Sequence, residues 1–249
     1  MHGSIDYASW LAEISKTNKH YEALFVDGKS FPPIFFFGNP IDAVAATIGL
    51  NPSAQEFSTK RQWNNITNVT GIINRCVHYF ESPSGVPPHT WFEPWETFLR
   101  KLGLSYYKVP RTIHLDISPR ATRSMGTFQN TEQIDLFLNL AKNDLKYMIN
   151  QLLAYPNIRY LYAAGSITKK YYLIEFLRRF GGFSLNPVVP FERGGTGKIG
   201  LYTIDLGDGI NRHLFFCSTS PSSRSNKDTL SQKASLLKTN YSEFLPSSW

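Results

Sequence analysis

The fold predicted for these 249 residues is a three-layer α/β/α domain, with a central, mainly parallel sheet and helices on both of its faces. Two observations predict it. Short apolar runs of strand length alternate with longer stretches of helical apolar spacing along most of the chain. Three of those strands also run straight into loops of small polar residues, and in such sheets ligands sit beyond the carboxyl ends of the strands. The length suits one domain spanning residues 1–249, and 42% hydrophobic residues with 14% aromatics are enough for an ordinary core.

Ile5 to Phe25 carries Trp10, Leu11 and Ile14 at helix-like spacing, with Ser4 as N-cap. Phe31 to Asn39 and Val44 to Leu50 read as two short strands joined at Asn39-Pro40. Asn64 to Phe80 and Thr90 to Leu102 read as helices flanking a Pro- and Ser-rich loop, with Gly103 as the residue that ends the second. Thr112 to Ser118 alternates cleanly: Ile113, Leu115 and Ile117 face one way, His114, Asp116 and Ser118 the other. A long amphipathic helix, Thr131 to Leu153, precedes a short strand at Tyr160 to Ala164, a turn at Gly165 and a helix ending at Phe180. Gly181 to Gly200 reads as loop. Leu201 to Leu206 and His213 to Cys217 read as a strand pair, and a helix near Lys227 to Phe244 closes the chain.

The bulk properties narrow the function classes. No apolar run approaches the ~18 residues of a membrane span, so no membrane partner is expected. No basic stretch leads into an apolar segment at the N-terminus, so no secretory signal is expected. Cys76 and Cys217 are too few for a disulfide framework, a zinc site or an iron–sulfur cluster, and the histidines lack metal-ligand spacing. A cytoplasmic chain with no metal and no cofactor is the expectation, and no obligatory protein partner is evident. The net charge of +7 favours a polyanionic partner. Gly194-Gly195-Thr196-Gly197-Lys198 fails as a phosphate loop, because Glu192 stands where its first glycine belongs and Ile199 where its Ser or Thr belongs.

The three loops are Gly49-Leu50-Asn51-Pro52-Ser53, Asp116-Ile117-Ser118-Pro119-Arg120 and Ser218-Thr219-Ser220-Pro221-Ser222-Ser223-Arg224. Proline stiffens each loop, while serine hydroxyls and neighbouring amides suit phosphate oxygens. Gly49-Leu50-Asn51-Pro52-Ser53 resembles the first motif of the uracil-DNA glycosylase superfamily, in the Gly-x-Asn-Pro form of its mismatch-specific and single-strand-selective monofunctional branches. Ser220-Pro221-Ser222-Ser223-Arg224-Ser225 resembles the second motif, usually His-Pro-Ser-Pro and an intercalating residue. Asp116-Ile117-Ser118-Pro119 falls where the family places its base-reading Asn, and the order along the chain agrees.

The resemblance implies a base-flipping DNA hydrolase that leaves an abasic site. It implies that Asn51 holds the attacking water and that Ser220, in place of the usual His, donates a neutral hydrogen bond to the base. Arg224 takes the place of the wedge that fills the hole in the helix, and Phe57 stacks on the extruded base. From residue chemistry alone, Ser53, Ser222 and Ser223 are expected to contact phosphate oxygens, and Arg120 to contact the DNA from the basic cluster. His114 shares the polar strand face with Asp116 and so joins the base-binding set. Against these roles stand ordinary ones: a turn residue for Asn51, a loop serine for Ser220, a core ring for Phe57, a structural histidine for His114 and a solvated arginine for Arg224. Lys108, Arg111, Arg120 and Arg123 form either a DNA-facing rim or a solvated face.

Asp116 points to the substrate. An ionised carboxylate only accepts hydrogen bonds, so it opposes the O4 of uracil and matches the N4 amino group of cytosine. Unmodified cytosine is excluded as a target, because its removal would destroy the host genome. A modified cytosine fits, and some bacterial glycosylases with this resemblance defend against phages by excising glucosylated hydroxymethylcytosine. A protonated Asp116 readmits uracil, and an Asp116 paired with Arg120 or Arg123 has no base contact. The rival readings are a uracil-DNA glycosylase of base-excision repair and a catalytically silent DNA-binding module.

Overall fold

The computed structural model describes residues 5–57, 63, 66, 68–82, 85, 87–123, 128, 130–168, 171–192, 199–218 and 227–246. In chain order the elements are α1 (Tyr7–Thr17), β1 (Ala43–Gly49), α2 (Val69–Val77), α3 (Phe92–Lys101), β2 (Arg111–Asp116), α4 (Thr131–Ala154), β3 (Tyr160–Ala164), β4 (Ser166–Thr168), β5 (Tyr171–Tyr172), α5 (Leu173–Phe180), β6 (Ser184–Val189), β7 (Ile199–Asp205), β8 (Arg212–Cys217) and α6 (Lys227–Asn240).

Six strands form the main sheet in the order β2-β1-β3-β8-β7-β6. β2, β1, β3 and β8 run parallel, and β7 and β6 continue the sheet antiparallel. β4 and β5 make a separate small hairpin. The α/β class with a mainly parallel sheet is therefore the observed one. Both faces of the sheet's centre are covered, because Ala45 and Thr47 on one side of β1 are as buried as Ala46 and Ile48 on the other. α3 lies over the Thr47 face: its Phe98 ring contacts Tyr162 of β3 and Phe215 of β8, and the registers place Thr47, Tyr162 and Phe215 in one row. The helix forms where it does because Phe92, Trp95, Phe98 and Leu99 repeat every three or four residues, and all four are buried. Gly103 follows its end at φ +80, the left-handed turn expected of that glycine.

Several boundaries differ from expectation. Phe31 to Asn39 is not a ladder strand. Its contact with β2 is an isolated bridge between Phe37 and His114, and Pro32 and Pro33 lack the N–H groups a strand needs. The cap of α1 is Asp6, whose carboxylate accepts from the Ser9 amide at 3.0 Å, and a 3-10 segment, Asn18–Leu24, replaces the helix's last turns. The loop expected over residues 181–200 contains the edge strand β6; its largely exposed side chains and Pro187 hide the usual apolar alternation. A hairpin intervenes between Gly165 and α5. Among the described residues, no helix is long and apolar enough to cross a membrane.

Candidate active site

A cavity of about 920 Å³ opens at the carboxyl edge of the sheet, and all four parallel strands feed it. Gly49 to Ser53 enter from β1, Asp116 from β2, Ala164 to Ser166 from β3 and Ser218 from β8. The first two loops continue the sheet's hydrogen bonding past its edge, since the amides of Ile117 and Ser118 donate to the carbonyls of Gly49 and Leu50 at 3.1 and 3.0 Å. A parallel bridge between Ser53 and Thr122 ties them together further out. The polar groups at this mouth are thus carried on backbone fixed from both sides.

Asn51 lines the cavity. Its Nδ2 donates to the Pro52 carbonyl and to Thr122 Oγ1, each at 3.0 Å. Both donor valences are spent, so the acceptor oxygen Oδ1 is what this side chain offers a bound molecule. Such a group orients a water without drawing off its proton. Ser53 also lines the cavity; it is exposed, and its hydroxyl caps the Gln55 amide at 3.2 Å.

Behind Asn51 lies a buried polar row. Tyr106 Oη is 2.6 Å from Thr47 Oγ1, Thr47 Oγ1 is 2.8 Å from His114 Nδ1, and His114 Nε2 is 3.2 Å from Asp116 Oδ1. His114 and Asp116 both line the cavity at 3% and 5% exposure. Among the described residues, the buried Oδ2 of Asp116 has no hydrogen-bond partner, an acceptor that a ligand's donor would satisfy. The strand register explains the row, since Gly49 lies beside Asp116 and Thr47 beside His114. It also explains the glycine. A Cβ at Gly49 would stand 2.4 Å from Asp116 Oδ1 and 2.8 Å from His114 Nε2, so only glycine admits the pair. Gly49→Ala is expected to cost about 1–3 kcal/mol of stability and to displace both side chains. Urea unfolding and the His114 ring resonances measure the two effects, and unchanged ring signals would count against the steric argument.

The opposite wall was not legible in the sequence. Trp91, partly exposed at the start of α3, places its ring 4.7 Å from that of His114 and lines the cavity, as do Gln55, Glu56 and His89. His89 Nδ1 accepts from the Trp91 amide at 3.1 Å, so Nε2 carries the proton and donates to Gln55 Oε1 at 2.7 Å. Glu56 is 2% exposed and accepts from Tyr79 Oη at 2.8 Å. None of these residues belongs to a motif; the packing of α3 over the His114 face brings Trp91 to the mouth.

Other expected site residues fall elsewhere. Phe57 does not line the cavity; its ring is 4% exposed and stacks on Phe31 at 4.3 Å, so it belongs to the core. Trp91 lines the cavity instead as a partly exposed ring, beside the buried Phe37 and Phe92. Arg120 is no rim residue either. It is 4% exposed and bound to Asp144, with Nε 2.9 Å from Oδ2. Asp116 therefore pairs with His114 and not with Arg120. Lys108 and Arg111 sit at the amino end of β2, away from the mouth, and Arg111 meets Glu81 at 3.4 Å. Arg123 remains in the cavity wall, where Nε donates to the Phe25 carbonyl at 2.9 Å. Ser220, Ser222, Ser223 and Arg224 lie outside the described residues, and the third loop is represented at the cavity by Ser218.

Among the described residues, no three His, Cys, Asp or Glu side chains converge as a metal site. Comparison of the chain with protein-family models and with curated proteins returns no match.

Proposed function

We propose that this protein is a monofunctional DNA glycosylase of the uracil-DNA glycosylase type, with a modified cytosine as the base it removes. The observation that carries the reading is the meeting of Asn51 and Asp116. They come from separate motif loops, and they line one cavity at the carboxyl edge of a parallel sheet. The flipped base enters with its exocyclic amino group toward Asp116 Oδ2, and the Trp91 ring offers it a stacking surface. The C1′–N bond breaks with its electron pair leaving on the base, and positive charge builds on the sugar. A water oriented by Asn51 Oδ1 adds to C1′ and keeps one proton as the new hydroxyl; its other proton passes to solvent, from which the departing base anion takes up a proton. DNA with an abasic site and the free base are the products.

The size of the cavity supports a substituted base. About 920 Å³ lies at the upper end of the ~300–1,000 Å³ typical of small-molecule pockets, more space than a single planar ring fills. A hydroxymethyl group, or a sugar attached to it, has room there. The net charge of +7 favours the DNA backbone as the wider partner, and defence against phages with modified genomes is the setting such a substrate implies.

The test is excision from duplexes carrying uracil, hydroxymethylcytosine or glucosylated hydroxymethylcytosine, with alkali used to cleave abasic sites. Strand breaks confined to the modified cytosines are expected. Breaks confined to uracil would assign the protein to uracil repair, and binding without breaks would make it a silent module.

A further inference from the structure

The direction of each proton in the buried row decides how Asp116 presents itself. Tyr106 is fully buried, and burial pushes its phenol well above the usual range, so its hydroxyl keeps its proton. Among the described residues Thr47 Oγ1, 2.6 Å away, is the one hydrogen-bond partner of that hydroxyl, so the phenol proton has no other acceptor and Tyr106 donates there. Thr47 then has one proton of its own and two acceptors in reach: His114 Nδ1 at 2.8 Å and the Ile113 carbonyl at 3.5 Å. The shorter contact wins, because 3.5 Å is beyond the normal range for an O–H donor. His114 Nδ1 is then the lone-pair nitrogen, and Nε2 carries the proton toward Asp116 Oδ1. The reverse order would send the Thr47 proton to Tyr106 Oη, leave the buried phenol proton without an acceptor among the described residues, and aim the lone pair of Nε2 at a carboxylate oxygen.

The geometry points to Thr47 and Tyr106 as positioning residues that, through His114, hold Asp116 with Oδ1 occupied and with Oδ2, unpartnered among the described residues, offered to the base. The relay stands on the hydrogen-bond row alone; its consequence for base selection rests on the base-excision reading. Neither residue touches substrate. Gly49 serves the same end by leaving room for the His114–Asp116 contact.

Nitrogen NMR of the His114 side chain in the full-length protein reads the relay directly. The expected spectrum shows Nε2 protonated and Nδ1 unprotonated, whereas a proton on Nδ1 overturns the proposal. Thr47→Val should move the Nδ1 resonance by removing its donor, and Thr47→Ser should restore it. Excision is then compared between duplexes with hydroxymethylcytosine and with hydroxymethyluracil, which differ at the amino position. Thr47→Val is expected to lower the discrimination between them about tenfold, one power of ten and so within the range that a single base-edge match commands. Equal losses for both bases would mark Thr47 as merely structural and overturn the assignment. Tyr106→Phe makes the same test if the valine variant does not fold, and discrimination unchanged in either folded variant is equally fatal. If neither base is excised, the nitrogen spectra of wild type, Thr47→Val and Thr47→Ser still decide the relay. The missing strand breaks then count against base excision alone.

Discussion

Arg120→Ala is expected to lower the free energy of unfolding by about 3–5 kcal/mol, the cost of leaving a buried charge without its partner. The guanidinium donates to Asp144 Oδ2 and Oδ1 at 2.9 and 3.2 Å, to the Ile14 carbonyl at 2.9 Å, to Asn18 Oδ1 at 2.6 Å and to Thr17 Oγ1 at 2.7 Å. It thereby ties α1 and the segment after it to α4 and to the second loop. Without it, Asp144 keeps, among the described residues, Ser118 Oγ at 2.7 Å as its remaining donor while its carboxylate stays buried. Burial already pushes the Asp144 carboxyl above the usual carboxylate range, against the opposing pull of Arg120. Losing that pull raises it further. An acid whose folded pKa is raised destabilises the fold when ionised, so the deficit is full above that pKa and shrinks as pH falls through it. Urea unfolding should thus show a larger deficit at neutral than at mildly acidic pH. Arg120→Met combined with Asp144→Leu should recover most of the loss, since apolar replacement of both partners removes the uncompensated charge. An arginine that gripped DNA from a solvated rim would change stability by no more than ~0.5 kcal/mol, so this measurement separates the two roles.

The same arginine shows where sequence reasoning stops. The period-two alternation of β2 is a local property, and it correctly placed His114 and Asp116 on one polar face. The carboxyl-edge rule then placed the Asn51 and Asp116 loops at one mouth, because parallel strands end together. Arg120 follows Asp116 by four residues in a polar loop, and nothing local reveals that Asp144, on a helix 24 residues away, turns its side chain inward. Phe57 is misread for a related reason. Its position after the first motif says nothing of the Phe31 ring that covers it. β6 escapes because an edge strand with exposed side chains has no apolar face to alternate. Trp91 reaches the cavity through helix-on-sheet packing, an event between elements that no single stretch records. The legible features are those set by neighbours in sequence or by the sheet's polarity; the illegible ones depend on which distant side chain arrives.

If the protein excises bases as proposed, Asp116→Asn is expected to reverse base selection and to leave the fold intact. The relay determines how the new amide must sit. His114 Nε2–H needs an acceptor at the place Oδ1 now holds, 3.2 Å away, so the asparagine oxygen takes it. Its NH₂ group then occupies the place of Oδ2, and the buried acceptor offered to the base becomes a donor. A donor there opposes the N4 amino group of cytosine and matches the O4 of uracil. One base-edge match is worth ~1–3 kcal/mol, and this substitution removes one while creating another. The ratio of cytosine-type to uracil-type excision should therefore swing by roughly 30-fold or more toward uracil. Competition between duplexes carrying hydroxymethylcytosine and hydroxymethyluracil measures that ratio directly. A ratio that stays put while both rates fall would mean that Asp116 shapes the pocket and reads nothing. The stronger check is the double variant with Thr47→Val. Without the donor to Nδ1 the imidazole no longer fixes the amide's orientation, and an amide free to turn presents oxygen or nitrogen alike. The swing should then collapse toward parity, which ties the selectivity of one residue at the cavity wall to the hydrogen-bond row behind it.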